Sequence, residues 1–227
     1  MLYGLDAGHT LTGADTGAQG NGYKEQELSR QVVGFLSEYL EREGHQTKYC
    51  HCNSADTVNE SLRYRTNKAN SLGVDFYVSV HLNSGGGVGT ETYICAKGGE
   101  AERVAKRVNA ELVAYGYRDR GVKVANFYVL RNTNAPAILV ECCFIDSASD
   151  MAKFNAKGVA KAIAEGLLNK SITDEEPQKP SNDPTPVEGD TYFRVCVGSY
   201  KNRENAVEQQ NKLKEAGFDS FLVAYKE

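Results

Sequence analysis

Apolar and polar residues follow two different periods along residues 1–170. Short apolar runs, such as DFYVSVHLN at residues 75–83, have the length and the β-branched content of buried strands. Between these runs, apolar residues recur every three to four positions, as they do in amphipathic helices. The clearest such segment is residues 24–43, where an apolar stripe begins at Leu28 and Gly44 follows as a typical C-cap.

The alternation of strand and helix patterns predicts an α/β domain with three layers, a twisted, mostly parallel (mixed) sheet flanked by helices. For the second helix we expect an N-cap at Ser54 or Asp56 and an end near Gly73. Strands are predicted at residues 1–5, 44–52, 75–83, 91–96, 127–133 and 136–144, and helices at residues 24–43, 54–73, 99–117 and 148–169.

The chain changes character after residue 170. Residues 171–189 carry four of the five prolines and five acidic residues without apolar periodicity, which predicts a linker. Residues 190–227 return to a strand–helix–strand pattern and predict a small βαβ unit. We therefore divide the chain into a domain at 1–170, a linker at 171–189 and a C-terminal unit at 190–227.

Composition excludes several classes of function. The 227 residues carry a net charge of -4 without a dense Lys/Arg patch, which argues against nucleic acid as a partner. No apolar run reaches the roughly 18–20 residues of a membrane span. The N-terminus lacks the basic and apolar regions of a signal peptide, and the six cysteines lack the spacing of a disulfide scaffold. We therefore expect synthesis in the cytoplasm.

Four polar residues at the ends of patterned segments suggest a catalytic metal site. His9 follows the first strand, His81 closes a buried strand, Glu141 ends another, and Glu25 lies on the apolar face of the first helix. Two imidazoles and one carboxylate, with a position left for water, form a ligand set of catalytic zinc, and a further acid could move the proton. Simpler explanations remain open: a histidine can cap a strand, and an acid can favour a helix N-terminus or a sheet rim.

Two acids at the start of the first helix compete for the role of ligand. At about 100° per residue, Glu25 falls on the stripe of Leu28 and Val32, whereas Glu27 points to the opposite side. A carboxylate on a buried face must be paired or bound to metal. Glu25 is therefore the candidate ligand, and Glu27 is expected to be solvated.

Cysteines offer a second, weaker metal hypothesis. Cys50, His51 and Cys52 are adjacent, but neighbouring side chains of a strand point to opposite faces and no second cysteine pair stands nearby. Cys142 and Cys143 beside Glu141 are more simply explained as small buried apolar residues.

Residues 2–169 also resemble the zinc-dependent N-acetylmuramoyl-L-alanine amidases of the third amidase family, found in bacterial autolysins and phage endolysins. The resemblance rests on ordered segments: LDAGH, NGYKEQELS, LRYRTNKAN, DFYVSVHLNSGGGVGTETYI and RGVKVANFYVLRNTNAPAILVECCFID. It assigns the single zinc ion to His9, Glu25 and His81, and the catalytic role to Glu141.

The resemblance implies hydrolysis of the amide between N-acetylmuramic acid and L-alanine of the peptidoglycan stem peptide, by zinc-activated water with Glu141 as general base and acid. It further implies that loops 10–22 and 84–90 border the substrate groove. The candidate substrate-binding residues of this region are Asn83, Ser84, Gly85 and Gly86.

The chain departs from the family pattern at three positions. Ala7 and Thr10 replace the proline and glycine that usually flank the first histidine, and Cys143 replaces a glycine after the catalytic acid. We expect the Cys143 side chain to narrow the floor of the site.

The C-terminal unit resembles one half of a SPOR repeat, a peptidoglycan-binding module, through FRVCVGSY, NRENAVEQQNKLKEAGF and DSFLV. A unit of this size with two strands is too small for a stable core of its own. We therefore hypothesise that two chains pair their halves into a homodimer. Candidate glycan-binding residues are Phe193, Val195 and Tyr200.

Two other functions remain open from the sequence: a peptidoglycan-binding protein without catalysis, and a zinc peptidase that cuts within the stem peptide. A wall substrate and cytoplasmic synthesis together predict action after release, during either phage lysis or lysis of a mother cell.

Overall fold

The computed structural model describes residues 1–173 and 202–215, together with positions 200, 220 and 222. The chain divides into two compact units, Met1–Pro177 and Gln178–Glu227. The predicted linker from residue 174 onward lies outside the described residues, as do Phe193 and Val195. The same holds for both strands predicted in the C-terminal unit, apart from positions 200, 220 and 222.

The described part of the first unit contains ten strands and six helices. The strands are β1 (Leu2–Ala7), β2 (Thr12–Gly13), β3 (Gln19–Gly20), β4 (Tyr23–Lys24), β5 (Gln46–Tyr49), β6 (Ser54–Ala55), β7 (Phe76–Asn83), β8 (Thr90–Ile94), β9 (Asp119–Val124) and β10 (Ala137–Phe144). The helices are α1 (Glu25–Arg42), α2 (Val58–Leu72), α3 (Glu100–Tyr115), α4 (Tyr128–Arg131), α5 (Ala148–Met151) and α6 (Ala156–Leu168), and the second unit contributes α7 (Arg203–Glu215).

Six strands form one twisted sheet in the order β5-β1-β7-β10-β8-β9. The first four run parallel to one another, whereas β8 is antiparallel to β10 and parallel to β9. This topology confirms the predicted α/β fold with a mostly parallel, mixed sheet. Its consequence for the site is that β1, β7 and β10 end at the same edge of the sheet.

The sheet is covered on both faces, which explains why its central strands read as continuous apolar runs. Along β7, Val78 packs in the core that contains α1, α3 and α6, whereas its neighbour Tyr77 packs in a second core with α2 and α4. The first core extends as far as Ile172. The result is the expected arrangement of three layers.

The prediction of a strand at residues 127–133 was wrong. They were expected to form a strand, but residues Tyr128–Arg131 form α4, and β9, which precedes it, had not been expected. Aromatic and β-branched residues favour a strand locally, but burial of Val129 and Leu130 against the second core overrides that preference. Strand β9 was not predicted because it lies at the edge of the sheet and none of its six residues is fully buried.

Two helix boundaries also differ from the prediction. The segment 148–169 forms two helices, because the Asn155 side chain accepts a hydrogen bond from Gly158 N and begins a new helix there. Helix α2 is capped by Thr57, whose hydroxyl accepts from Glu60 N, and not by Ser54 or Asp56. Its end at Gly73, with φ of 61°, agrees with the prediction.

Candidate metal and catalytic site

Three of the four predicted site residues meet at the carboxyl edge of the sheet. His9 follows β1 and His81 lies near the end of β7, its parallel neighbour, while Glu25 is the first residue of α1. One ligand atom from each residue lies within 4.8 Å of the other two. Among the described residues, this is the one group of three or more side chains with metal-ligand atoms at such spacing.

The Glu25 carboxylate is the centre of this triad. Its Oε1 lies 2.9 Å from His81 Nδ1 and 3.3 Å from His9 Nε2. Leu82 N donates to the same oxygen, and Ala18 N donates to Oε2. As the helical stripe predicted, Glu25 is buried and Glu27 is exposed, where it pairs with Lys24.

Charge is shared closely within the triad. Burial alone would raise the pKa of Glu25, but the two imidazoles outweigh burial and hold its pKa far below the usual value. Burial opposes protonation of His9, yet hydrogen bonds to Asp15 and Glu25 raise its pKa to about 9. The imidazole nitrogens and the carboxylate oxygen that form these hydrogen bonds are also the kinds of atom that ligate a divalent cation.

A buried network holds His9 in place from behind. His9 Nδ1 lies 3.0 Å from Asp15 Oδ1, and Asp15 Oδ2 lies 3.2 Å from Arg65 Nη2. Arg65, which is 1% exposed, also contacts both oxygens of Asp6 at 3.3 Å. The network fixes the ring even though His9 has a φ of 67°, a conformation that residues with a side chain rarely adopt.

Sequence reasoning missed Asp15 and Arg65. A signal existed, because Ser61, Arg65 and Ala69 lie four residues apart along one face of α2, and all three are buried. A charged residue on such a face requires a partner of opposite charge.

Gly8 and Gly17 lie so close to His81 and Glu25 that no side chain fits at either position. A Cβ atom on Gly8 would lie 2.4 Å from Cε1 of His81, and one on Gly17 would lie 2.7 Å from Glu25 Oε2. Both distances are far below van der Waals contact. The loop after β1 therefore approaches the imidazole and the carboxylate more closely than any other residue type would allow.

Glu141 lies beside the triad on β10. It is in register with His81 on β7 and with Glu91 on β8, so the three side chains form a row across the sheet. Burial raises the pKa of Glu141 to about 7. Its Oε2 atom is buried, and no hydrogen-bond partner for it exists among the described residues. A buried acceptor without a protein partner is available to a proton, a water molecule or an ion, and catalytic groups are among the common explanations for one.

Glu91 forms the far end of the row and was not predicted. Its Oε1 accepts hydrogen bonds from Asn83 Nδ2 at 2.7 Å and from Tyr93 OH at 2.8 Å. Its Oε2 pairs with Arg120 Nε and Lys123 Nζ. Burial opposes the charge on Glu91, but the hydrogen bonds from Lys123, Arg120 and Tyr93 lower its pKa to about 2.

The predicted substrate-binding residues form a loop at the edge of the site. Asn83 is half-buried, while Ser84, Gly85 and Gly86 are exposed. The backbone N–H groups of both glycines donate to Asp146 Oδ2 at 2.8 Å. Positive φ angles of 116° and 77° allow this turn, so the loop is shaped by the glycines and held by Asp146.

The cysteines of the described residues do not group into a second metal site. Cys50 is buried in the second core, and His51 Nδ1 accepts a hydrogen bond from Ala7 N. The five cysteines in the described part are free, and no metal-ligand group that includes them occurs there.

The expectation for Cys143 is corrected. Both Cys142 and Cys143 are fully buried in the first core. A shift in the strand register between Glu141 and Phe144 brings both cysteines to the core. The thiol therefore does not narrow the floor of the site.

The chain matches two family models. Residues 4–172 match the model described as N-acetylmuramoyl-L-alanine amidase, and residues 150–224 match the SPOR domain model. The second match overlaps the first through α6, which belongs to the core of the first unit.

Curated relatives cover nearly the whole chain. A sporulation-specific N-acetylmuramoyl-L-alanine amidase of Bacillus subtilis is 34% identical over 96% of this chain and 83% of its own length. The amidase CwlM of Bacillus licheniformis is 33% identical over 98% and 84%, respectively. Among solved structures, the catalytic domain of the CD27L endolysin, which targets Clostridia difficile, covers 76% of this chain and 99% of its own at 28% identity, with a TM-score of 0.71.

Proposed function

The chain belongs to the N-acetylmuramoyl-L-alanine amidase family and is a peptidoglycan hydrolase, and we propose that His9, Glu25 and His81 hold one zinc ion beside Glu141 as general base and acid. The observation that carries this proposal is the row of residues at the sheet edge. Three ligand atoms converge within 4.8 Å, and Glu141, in register with His81, has one buried oxygen that no group in the described part of the chain hydrogen-bonds.

The donor set fits zinc better than a harder cation. Two imidazoles and one carboxylate suit zinc, whereas calcium and magnesium prefer oxygen ligands alone. A bound zinc ion would supply Lewis acidity and lower the pKa of a coordinated water. Asp15 would keep His9 oriented toward the ion through its second ring nitrogen, as carboxylates commonly do for ligating histidines.

Glu141 carries the proton in this proposal. Its free oxygen accepts a proton from the attacking water and delivers it to the departing nitrogen of L-alanine. A pKa near 7 suits both halves of this task, because such a carboxyl gains and loses a proton with little cost near neutral pH.

The loop of Asn83, Ser84, Gly85 and Gly86 is proposed to border the bound stem peptide. Asn83 connects this loop to the row through Glu91, and the two exposed glycines allow close approach of a substrate backbone. Loop 10–22 contacts the triad through Ala18 N and Asp15, and is proposed as the opposite border.

The C-terminal unit is proposed to bind peptidoglycan and to pair two chains. The SPOR match supports the first statement, and the small size of the unit supports the second. Tyr200, which is exposed, is a candidate glycan contact together with Phe193 and Val195. Light scattering at micromolar concentration tests the pairing, and a strictly monomeric mass would exclude it.

Digestion of purified peptidoglycan tests the function, with the products identified by mass spectrometry. An amidase releases intact stem peptides that begin with L-alanine and leaves glycan strands without peptides. Shortened peptides would identify a peptidase, and no product would indicate a binding protein. The metal-stripped protein is the control, and zinc is expected to restore its activity.

A further inference from the structure

Arg120 and Lys123 converge on a single oxygen of Glu91, although one cation would neutralise it. Arg120 Nε lies 2.8 Å from Glu91 Oε2, and Lys123 Nζ contacts the same atom. The Glu91 side chain is 2% exposed, whereas those of Arg120 and Lys123 are 31% and 39% exposed. The cluster therefore presents a surplus positive charge to solvent over a buried negative one.

The two cations are held in place on other sides as well. The Arg120 guanidinium lies 4.8 Å from the centre of the Phe144 ring, and Lys123 Nζ lies 6.0 Å from that of Tyr93. Tyr93 and Asn83 occupy the remaining oxygen of Glu91. A pair of like charges fixed in this way is organised in advance to receive an anion.

The position of the cation pair relates it to the reaction. Glu91 is the register partner of Glu141, and Tyr93 on the same strand is the partner of Lys123. Neighbouring strands are about 5 Å apart, so the pair lies about one to two strand spacings from Glu141. This side of Glu141 is opposite to the side on which His81 and the triad lie.

The substrate carries a carboxylate at a matching distance. The residue after L-alanine is a glutamate joined through its side chain, so its α-carboxyl group is not part of the peptide chain. One residue spans about 3.8 Å between Cα atoms, which puts this group about 5 Å from the scissile nitrogen. Bound with that nitrogen at Glu141, the peptide would bring the carboxylate within reach of Arg120 and Lys123.

We propose that Arg120 and Lys123, fixed by Glu91, bind the free α-carboxylate of the stem-peptide glutamate and make the enzyme prefer it to the amidated form. This inference rests on the proposed amidase function and specifies its substrate class. A charge-assisted hydrogen bond contributes enough to give the free acid an advantage of about ten- to a hundredfold in kcat/KM.

Two synthetic muramoyl-L-alanyl-glutamyl substrates test the proposal. They differ only in whether the α-carboxyl group is free or amidated, and both have the γ-carboxyl group blocked. Wild-type protein is expected to favour the free acid. Lys123→Met and Arg120→Gln are expected to reduce this ratio toward one, while Lys123→Arg, which keeps the charge, is expected to preserve it.

Lys106→Met is the matched control. Lys106 is an exposed lysine that pairs with Glu102 on α3, so its replacement removes a lysine–glutamate pair that does not involve Glu91. The control is expected to keep the wild-type ratio. Thermal unfolding of each variant shows whether it is folded. If Arg120→Gln does not fold, the comparison of Lys123→Met with Lys123→Arg decides the test, because Lys123 is the more exposed of the two cations.

Calorimetry gives a second readout that needs no turnover. It measures the binding of the two peptides, without the muramoyl group, to wild-type protein and to Lys123→Met. If wild type binds the free acid more tightly than the amide and Lys123→Met does not, the anion site is supported even when neither substrate is cleaved. Absence of cleavage would reject the amidase function separately. Equal affinities and equal rates for acid and amide in wild type, or an unchanged ratio in Lys123→Met, would overturn the proposal.

Discussion

Glu25 and Glu141 are two carboxylates of one site that have opposite environments. Glu25 accepts two backbone hydrogen bonds and lies between two imidazoles, and its pKa is far below the usual value. Glu141 has a buried oxygen without a partner among the described residues, and its pKa is raised to about 7. The Glu25 carboxylate is therefore suited to holding a cation, whereas the Glu141 carboxyl is suited to exchanging a proton.

The difference arises from neighbours and not from burial, since both groups are largely withdrawn from water. Burial favours the neutral form of each carboxyl, and only Glu25 has donors close enough to reverse that preference. Pairs of acids whose environments separate their pKa values commonly divide the work of a catalytic site between them. Substitutions at either acid should therefore separate metal binding from catalysis.

The largest expected effect is that of Glu25→Ala. Loss of the central carboxylate should weaken zinc binding by more than about a hundredfold and reduce hydrolysis to background, because a proposed ligand is lost and two imidazoles remain. Zinc per chain after dialysis and release of stem peptides measure the two losses. Glu27→Ala is the matched control, since Glu27 is exposed two residues away, and a full zinc content in Glu25→Ala would contradict the assignment.

Glu141→Gln should reduce kcat by about 10²–10⁴-fold while the zinc content stays that of wild type. Glutamine keeps the shape of the side chain but cannot accept and return the proton. Steady-state hydrolysis and elemental analysis on the same preparation separate the two properties. Loss of zinc from this variant would mean that Glu141 is itself a ligand and that the contrast with Glu25 does not hold.

Asp15→Asn should have an intermediate effect that excess zinc reverses. An amide in place of the carboxylate that holds His9 Nδ1 should weaken zinc binding by about ten- to a hundredfold, with activity recovering at saturating zinc. Competition with a chelator measures the affinity. The exposed Asp56→Asn variant controls for loss of a charge, and an unchanged affinity in Asp15→Asn would show that the network does not support the metal site.

The smallest expected effect concerns the stability contributed by Glu91. Its folded pKa of about 2 lies below the usual 4.5, so its contribution is complete above about pH 4.5 and disappears as the pH falls toward 2. Glu91→Gln should therefore lower the free energy of unfolding by about 1–2 kcal/mol at neutral pH, and the difference from wild type should shrink in acid. Urea titrations of the metal-free proteins at several pH values measure it, and a constant difference would contradict the argument.

Local patterns were sufficient to find the residues that carry the proposed chemistry. The apolar stripe of α1 distinguished Glu25 from Glu27. His81 and Glu141 each follow an apolar run, where an apolar residue would be expected if the position were purely structural. These inferences were possible because periodicity and burial are properties of one element at a time. The short helix α4 defeated the same reasoning, because tertiary burial overrode local preference there.

The partners of the supporting residues could not be found in this way, although the face of α2 that carries Arg65 could have been. Asp15, Arg65 and Glu91 act through partners up to 59 positions away in the chain, and nothing in their immediate neighbours indicates which residue is the partner. Even Cys143, placed by resemblance at the floor of the site, lies in the core because the register of β10 shifts after Glu141.

By itself, the sequence determined the alternation of strands and helices, the mostly parallel sheet and the identity of the four candidate residues, since each follows from side-chain pattern along a single element. Only the tertiary structure decided that ligand atoms of His9, Glu25 and His81 lie within 4.8 Å of one another. It also decided that Glu141 Oε2 lacks a hydrogen-bond partner among the described residues, while Glu25 is held by two imidazoles. The physical reason is that pKa values and metal affinity depend on distances through space, which are determined only when β1, α1, β7 and β10 pack together.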